Sequence, residues 1–227
     1  MKTLGLIGGT SWHATVEYYR EINQKVGKEI GSQANPTLVI YSLNIELMRN
    51  GTRKEIIAEY LRIANLLIDA GAQGIVICAN TPHMVVDDIQ PKISKPILHI
   101  GDAVGKAAKG KGLSKIALLG TLATMNGTFI SNYIEDKYDI AVLTPKEEHK
   151  QGVHDKISKE LTQGIFKEET KQFFIAEINH LKKAGAEGII LGCTELPILM
   201  QGVKHELPFL DTTGLHINDA VSFILND

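Results

Sequence analysis

The chain repeats itself. Ala70-Gly71-Ala72-Gln73-Gly74-Ile75-Val76-Ile77 returns 114 positions on as Ala184-Gly185-Ala186-Glu187-Gly188-Ile189-Ile190-Leu191. Leu4-Gly5-Leu6-Ile7-Gly8 parallels Ile116-Ala117-Leu118-Leu119-Gly120, and Pro96-Ile97-Leu98 parallels Pro208-Phe209-Leu210, both at 112 positions. Asp102-Ala103-Val104 parallels Asp219-Ala220-Val221 at 117, so a few residues are inserted just before the last match. Four matches in one order at nearly one offset make the chain two copies of one half-protein. Whatever topology one half adopts, the other must be able to adopt it too. The 227 residues then form two similar units, each with its own core.

Each half alternates strand and helix signals. In the first, short apolar runs at 3–8, 37–41, 75–78 and 96–99 read as buried strands. Helical spacing follows at 11–30, with Trp12, Val16, Tyr19, Ile22 and Val26 as its apolar stripe and Ser11 as N-cap. A second helix covers 52–70, with Ile56, Tyr60, Ala64 and Leu67 on one face and Gly71 ending it; a third begins near 101. In the second half, strands are expected at 115–119, 139–143, 188–191 and 208–210, and helices at 127–136, 149–162, 168–184 and 214–225. Alternating βα units build parallel sheets with right-handed crossovers. The expected fold is therefore α/β: two similar parallel-sheet α/β domains related by a pseudo-twofold axis, with an active site in the cleft between them.

Composition removes several function classes. Apolar residues make up 44% and charged residues 22%, and the net charge is −2, which favours neither nucleic acid nor an anionic membrane as partner. No apolar run approaches the ~20 residues of a membrane span. The N-terminus is too short in apolar residues and too rich in glycine for a signal peptide. A cytoplasmic protein is expected, and its two cysteines then need a role other than a disulfide.

Cys78 and Cys193 close the third strand of their respective halves. In parallel sheets ligands bind just outside the carboxyl ends of the strands. A free cysteine is ordinarily a small buried apolar residue, but matching strand-end placement in both halves favours a catalytic pair on opposite walls of one site. Cys78 leads into Ala79-Asn80-Thr81-Pro82-His83, and Cys193 into Thr194-Glu195-Leu196-Pro197. Each segment offers small polar groups and a proline suited to a first helical turn. Asn80, Thr81 and Thr194, beside backbone N–H groups, are candidate ligands for a carboxylate, and the same positive end is expected to lower the thiol pKa. Ordinary helix capping by Asn80 and Thr81 is the plainer alternative. His83 is expected to cap or pack on its helix, and Glu195 to favour a helix N-terminus.

The first strand ends, Gly8-Gly9-Thr10-Ser11 and Gly120-Thr121, are the other candidate surfaces, because glycine lets backbone approach a ligand closely. They lack the G-x-G-x-x-G of a dinucleotide site, so no nucleotide cofactor is expected. No metal is expected either: none of the eight histidines forms an H-x-x-x-H spacing near a cysteine.

Over nearly its whole length the chain resembles the aspartate/glutamate racemase family. The likeness lies in Gly5-Leu6-Ile7-Gly8-Gly9-Thr10-Ser11-Trp12, in Cys78-Ala79-Asn80-Thr81-Pro82-His83 and in Leu191-Gly192-Cys193-Thr194-Glu195. Glutamate after the cysteine–threonine pair matches the aspartate-racemase branch. The resemblance implies racemisation of aspartate or glutamate without pyridoxal phosphate or any other cofactor, with Cys78 and Cys193 as the two proton-transfer groups. It implies a small-molecule amino-acid substrate held by Thr10, Ser11, Arg49, Asn80, Thr81, Thr121 and Thr194, with Arg49 on the side-chain carboxylate. It implies a homodimer, and a crossed domain arrangement: residues 1–100 with 214–227, and 101–213. Two features depart from the family. Thr10 and Pro82 stand where many relatives have methionine, and Glu160-Leu161-Thr162-Gln163-Gly164 lacks the lysine expected between Leu161 and Gly164. The rival readings are an isomerase or decarboxylase of small dicarboxylates on the same scaffold, and a non-catalytic two-lobed small-molecule binding protein.

Overall fold

A computed structural model describes residues 1–31 and 33–226 of the chain. By its internal contacts the chain divides into two compact units, Met1–His99 with His216–Asp227, and Ile100–Leu215.

The first unit contains β1 (Leu4–Gly8), α1 (Trp12–Ile30), β2 (Leu38–Ser42), α2 (Glu46–Asn50), α3 (Arg53–Asp69) and β3 (Gly74–Ile77). A 3-10 turn (Thr81–Val85), α4 (Val86–Ile89) and β4 (Ile97–Leu98) follow. Its four strands are all parallel in the order β2-β1-β3-β4. β1 sits inside the sheet and is buried along its whole length, which is why Leu4-Gly5-Leu6-Ile7-Gly8 reads as a continuous run and not an alternation. Successive residues face opposite sides. Ile7, Ile75 and Ile77 pack with Tyr60, Ile63 and Ala64 of α3. Leu6, Val76 and Cys78 pack with Tyr18 and Ile22 of α1 and with Ile217 and Ala220 near the C-terminus. A capping box starts α3: Thr52 accepts from the Glu55 backbone while Glu55 accepts from the Thr52 N–H.

The second unit repeats the plan. It contains α5 (Ile100–Gly110), β5 (Lys115–Leu119), α6 (Leu122–Asn126), α7 (Thr128–Tyr138), β6 (Ala141–Leu143), α8 (Glu147–Lys159), α9 (Glu168–Lys183), β7 (Gly188–Leu191), α10 (Leu196–Leu199) and β8 (Phe209–Asp211). The strands are parallel in the order β6-β5-β7-β8, the same order as in the first sheet. One face carries α8 and α9 through Val153, Ile157, Phe174 and Ile178; the other carries α5 and α7 through Val104, Ala108, Ile130 and Ile134. The final helix, α11 (Thr212–Leu225), runs across the unit boundary, so that its residues from His216 onward belong to the first unit.

The strand and helix positions follow the sequence pattern closely, with one reversal. Trp12, Val16 and Tyr19 were expected on the buried stripe of α1 but are half or more exposed, Trp12 at 62%. The helix instead buries Ala14, Thr15, Tyr18, Ile22 and Val26. At its first turn the Gly9 N–H donates to Thr15 Oγ1 at 3.0 Å, and a side chain on Gly8 would meet Thr15 at 2.4 Å. These contacts hold the Thr15 side inward, in agreement with Ala14, Tyr18, Ile22 and Val26, a second apolar stripe at helical spacing that the core receives. Gly9 itself has φ +92°, and a Cβ there would lie 2.0 Å from the Leu43 carbonyl, so only glycine serves at this turn.

Candidate active site

In the first unit the ladder continues one residue past β3: the Cys78 N–H donates to the Ile7 carbonyl at 2.9 Å. Cys78 is 1% exposed, and its burial pushes the thiol well above the ordinary range. On the neighbouring strand end, Thr10 Oγ1 lies 2.9 Å from the Tyr60 hydroxyl. Burial also raises that phenol, and the proximity of Cys78 raises it further. Thr10, Tyr60 and Cys78 therefore share one neighbourhood. Ser11 is engaged as the α1 cap, accepting from the Ala14 N–H at 3.2 Å.

Beyond Cys78 the chain enters the 3-10 turn with Thr81 half-buried and Pro82 in its first turn. Asn80 stands at the cap position but makes no side-chain cap bond. It is 7% exposed, and its Oδ1 has no hydrogen-bond partner among the described residues. The capping alternative for Asn80 thus fails here, and a buried amide oxygen is left as an acceptor. His83 packs on its own turn, donating from Nδ1 to the Ala79 carbonyl at 2.9 Å. Its ring lies edge-on to those of His99 and His216. His216 donates from Nε2 to the Leu98 carbonyl at 2.8 Å, and its Nδ1 lies 2.8 Å from the Tyr18 hydroxyl. Burial, with His216 beside it, holds the His83 pKa down at about 3. Arg49 lies exposed on α2, after β2, and its guanidinium makes no hydrogen bond or ion pair among the described residues.

In the second unit the residue that continues the ladder is Gly192, whose N–H donates to the Leu119 carbonyl at 2.8 Å. Cys193 comes one residue later. The two cysteines are therefore not at equivalent positions of the duplication, as their matching strand ends had promised: Cys78 corresponds to Gly192. Because residues alternate across a sheet, the stagger changes the face. Cys78 packs against the α1 side of its sheet, whereas Cys193 joins Leu119, Leu191 and Leu196 in the cluster under α8 and α9. That second cluster corresponds, strand for strand, to the α3 side of the first unit.

The surroundings of the thiols differ accordingly. Cys193 Sγ donates to Glu195 Oε2 at 2.9 Å, and Thr194 Oγ1 donates to the same oxygen at 2.8 Å. Glu195 therefore reaches back to the thiol instead of serving the start of α10, which receives no side-chain cap bond from it. Burial first, and then the Glu195 charge, push the Cys193 thiol well above its usual value. The expected lowering of the thiol pKa by a helix start is thus reversed at both cysteines. The desolvation of a thiolate outweighs whatever the helical segments after them contribute. Thr121 caps α6, with Oγ1 3.1 Å from Thr124 Oγ1, and the adjacent Leu122 N–H donates to His154 Nδ1 at 3.4 Å. Lys159 and Lys167, the lysines nearest the gap between Leu161 and Gly164, are exposed and pair with Asp155 and Glu160. Tyr60, a tyrosine within an apolar helix stripe, reads as core in the sequence; only the fold brings its hydroxyl to Thr10 and near Cys78.

A family model described as Asp/Glu/hydantoin racemase matches residues 7–220. A solved structure from Yersinia pestis, provisionally assigned as an Asp/Glu racemase, is 37% identical with a TM-score of 0.94, covering 100% of both chains. An aspartate racemase homologue from Pyrococcus horikoshii is 31% identical with a TM-score of 0.88, again over 100% of both. The Picrophilus torridus aspartate racemase shares the fold at 19% identity and a TM-score of 0.72, over 98% of this chain and 95% of its own.

The contact between Cys193 and Glu195 has a measurable consequence. Replacing the carboxylate by the neutral amide in Glu195→Gln removes a charge that disfavours the thiolate, so the Cys193 pKa should fall. In a Cys78→Ser background, the pH midpoint for alkylation by iodoacetamide should move down with it. An unmoved midpoint would show that burial alone holds the thiol protonated.

Proposed function

The chain belongs to the Asp/Glu/hydantoin racemase family, and from that premise we propose that it racemises aspartate, glutamate or both, without a cofactor, by proton transfer between Cys78, Cys193 and the substrate α-carbon. The observation that carries this reading is the pair of buried thiols, each just past the carboxyl end of the third strand of its own parallel sheet. One thiolate removes the α-proton, and the electron pair of the C–H bond passes into the carboxylate as the α-carbon flattens. The other thiol delivers its proton to the opposite face and is left as the thiolate, ready for the reverse direction.

Both thiols are held protonated by burial, so a thiolate has to be generated as substrate binds. The substrate's α-ammonium supplies the compensating positive charge, with Asn80 Oδ1 as an acceptor for its N–H. Glu195, already hydrogen-bonded to Cys193, takes that thiol's proton when Cys193 acts as base and returns it when Cys193 acts as acid; when Cys78 is the base, its proton passes to solvent as the substrate enters. The α-carboxylate, where charge develops, is held by hydroxyls and N–H groups of Thr10, Ser11, Thr81, Thr121 and Thr194. Tyr60 orients Thr10. The choice of an acidic amino acid rests on Arg49, which has no partner of its own among the described residues.

Because each turnover uses both thiols, Cys78→Ser and Cys193→Ser should each abolish racemisation: a serine hydroxyl is too weak an acid to replace either thiol. Each variant should retain slow α-proton exchange in heavy water from one enantiomer only, and the two variants from opposite enantiomers. Racemisation near the wild-type rate in either variant would exclude the two-base mechanism.

Arg49→Ala should raise KM for a dicarboxylic amino acid, by about 1.5–3 kcal/mol of lost charge-assisted bonding, and leave a neutral amino acid little changed. Equal effects on both substrates would remove Arg49 from substrate recognition.

The proposal includes a cytoplasmic homodimer. No helix of the described residues is long and apolar enough to cross a membrane. The exposed stripe of Trp12, Val16 and Tyr19 on α1 is an apolar surface that a second copy would cover. Light scattering should read twice the 24.9 kDa chain mass, and Trp12→Asp should shift the protein toward the monomer. A monomeric wild type at micromolar concentration would refute the dimer.

A further inference from the structure

The second unit carries a ligand cluster that proton transfer at the cysteines does not use. Glu177 on α9 is 5% exposed, although carboxylates are seldom buried without a compensating charge. Among the described residues no lysine or arginine pairs with it; its partners are two imidazoles. His149 of α8 places Nδ1 2.9 Å from one carboxylate oxygen, and His180, one turn further along α9, places Nδ1 3.4 Å from the other. The rings stand 5.3 Å apart, and one donor atom from each of the three side chains lies within 4.8 Å of the other two. The buried carboxylate forms the floor of the cluster. His180, with 54% of its side chain exposed, opens it to solvent.

We propose that His149, Glu177 and His180 form a binding site for a divalent transition metal of the zinc type, with solvent water completing the coordination. Two imidazole nitrogens and one carboxylate oxygen are a donor set that zinc accepts, and a harder cation such as calcium or magnesium would demand more oxygens. Tetrahedral ligands at zinc bond lengths lie about 3.3 Å from one another, close to the two histidine–carboxylate separations already present. The metal would supply the positive charge that the buried carboxylate lacks, and would tie α8 to α9. Both helices cover the cluster containing Cys193, through Val153 and Ile157 of α8 and Phe174 and Ile178 of α9. Metal binding should therefore stiffen the second unit without taking part in the chemistry. Sequence spacing conceals the site, because His149 lies 28 residues before Glu177 on a separate helix.

The test is zinc titration by calorimetry on the full, tag-free, chelator-stripped chain. A Cys78→Ser/Cys193→Ser double variant is run in parallel, so that thiolates cannot supply the ligands. One equivalent of zinc should bind in both proteins. His149→Ala, His180→Ala and Glu177→Gln should each weaken binding at least tenfold, and His149→Ala should abolish the zinc-induced rise in Tm. Cobalt in place of zinc should give the visible absorption of a low-coordinate site, lost in the same variants. Binding that survives His149→Ala and His180→Ala but disappears with the cysteines would overturn the proposal, as would no binding at all. The two histidine variants replace partly exposed side chains, so the test stands even if Glu177→Gln fails to fold.

Discussion

Parallel pairing of the two inner strands, β1 with β3 in one unit and β5 with β7 in the other, is the constraint from which the candidate site follows. These strands are buried, so their backbone groups are satisfied by the strands on either side, each in one register. The register carries one residue past the strand ends, through Cys78 to Ile7 and Gly192 to Leu119. The backbone of Cys78 is thereby fixed by the same ladder that holds the core, and Cys193 follows one residue behind its own ladder. A slip of one residue would turn each side chain to the other face of its sheet.

That pleat makes the two thiols chemically unequal. Cys78 lies among Leu6, Val76, Tyr18 and Ile217, with no carboxylate among the groups that shift its ionisation. Cys193, turned toward the other kind of face, has Glu195 within hydrogen-bond reach. A duplicated scaffold therefore presents two thiols of one type in two electrostatic settings. A reaction that swaps acid and base between opposite faces of a carbon does not need equal settings; it needs each thiol to reach both protonation states during turnover. Burial alone would oppose this. In the proposed reaction, the Asn80 oxygen, which has no partner among the described residues, and the Glu195 carboxylate are the polar groups that would share that cost.

Much of the fold was legible because its signals are local. Buried strands show as apolar runs ended by glycine, and the Thr52–Glu55 capping box marks the start of α3 in plain sequence. The strand-end placement of the cysteines and of the polar residues after them was legible because each follows directly on an apolar run. The rotation of α1 was not legible: its sequence carries two apolar stripes, and the core receives Ala14, Tyr18, Ile22 and Val26 while Trp12, Val16 and Tyr19 stay exposed. Nor was the role of Glu195, since a carboxylate two residues after a strand-end cysteine can serve a helix start or turn back to the sulfur, and only its rotamer separates the two.

The sequence by itself determined the duplication, the strand–helix order of each half and the pair of strand-end thiols. All three are written in periodicity and self-similarity, which short segments carry without reference to the rest of the chain. Tertiary structure alone decided which side of its sheet each thiol occupies, what each thiol touches, and the meeting of His149 with Glu177 and His180. Those outcomes depend on register, on helix rotation and on contacts between residues far apart in the chain. Each is set by packing energies that no local pattern records.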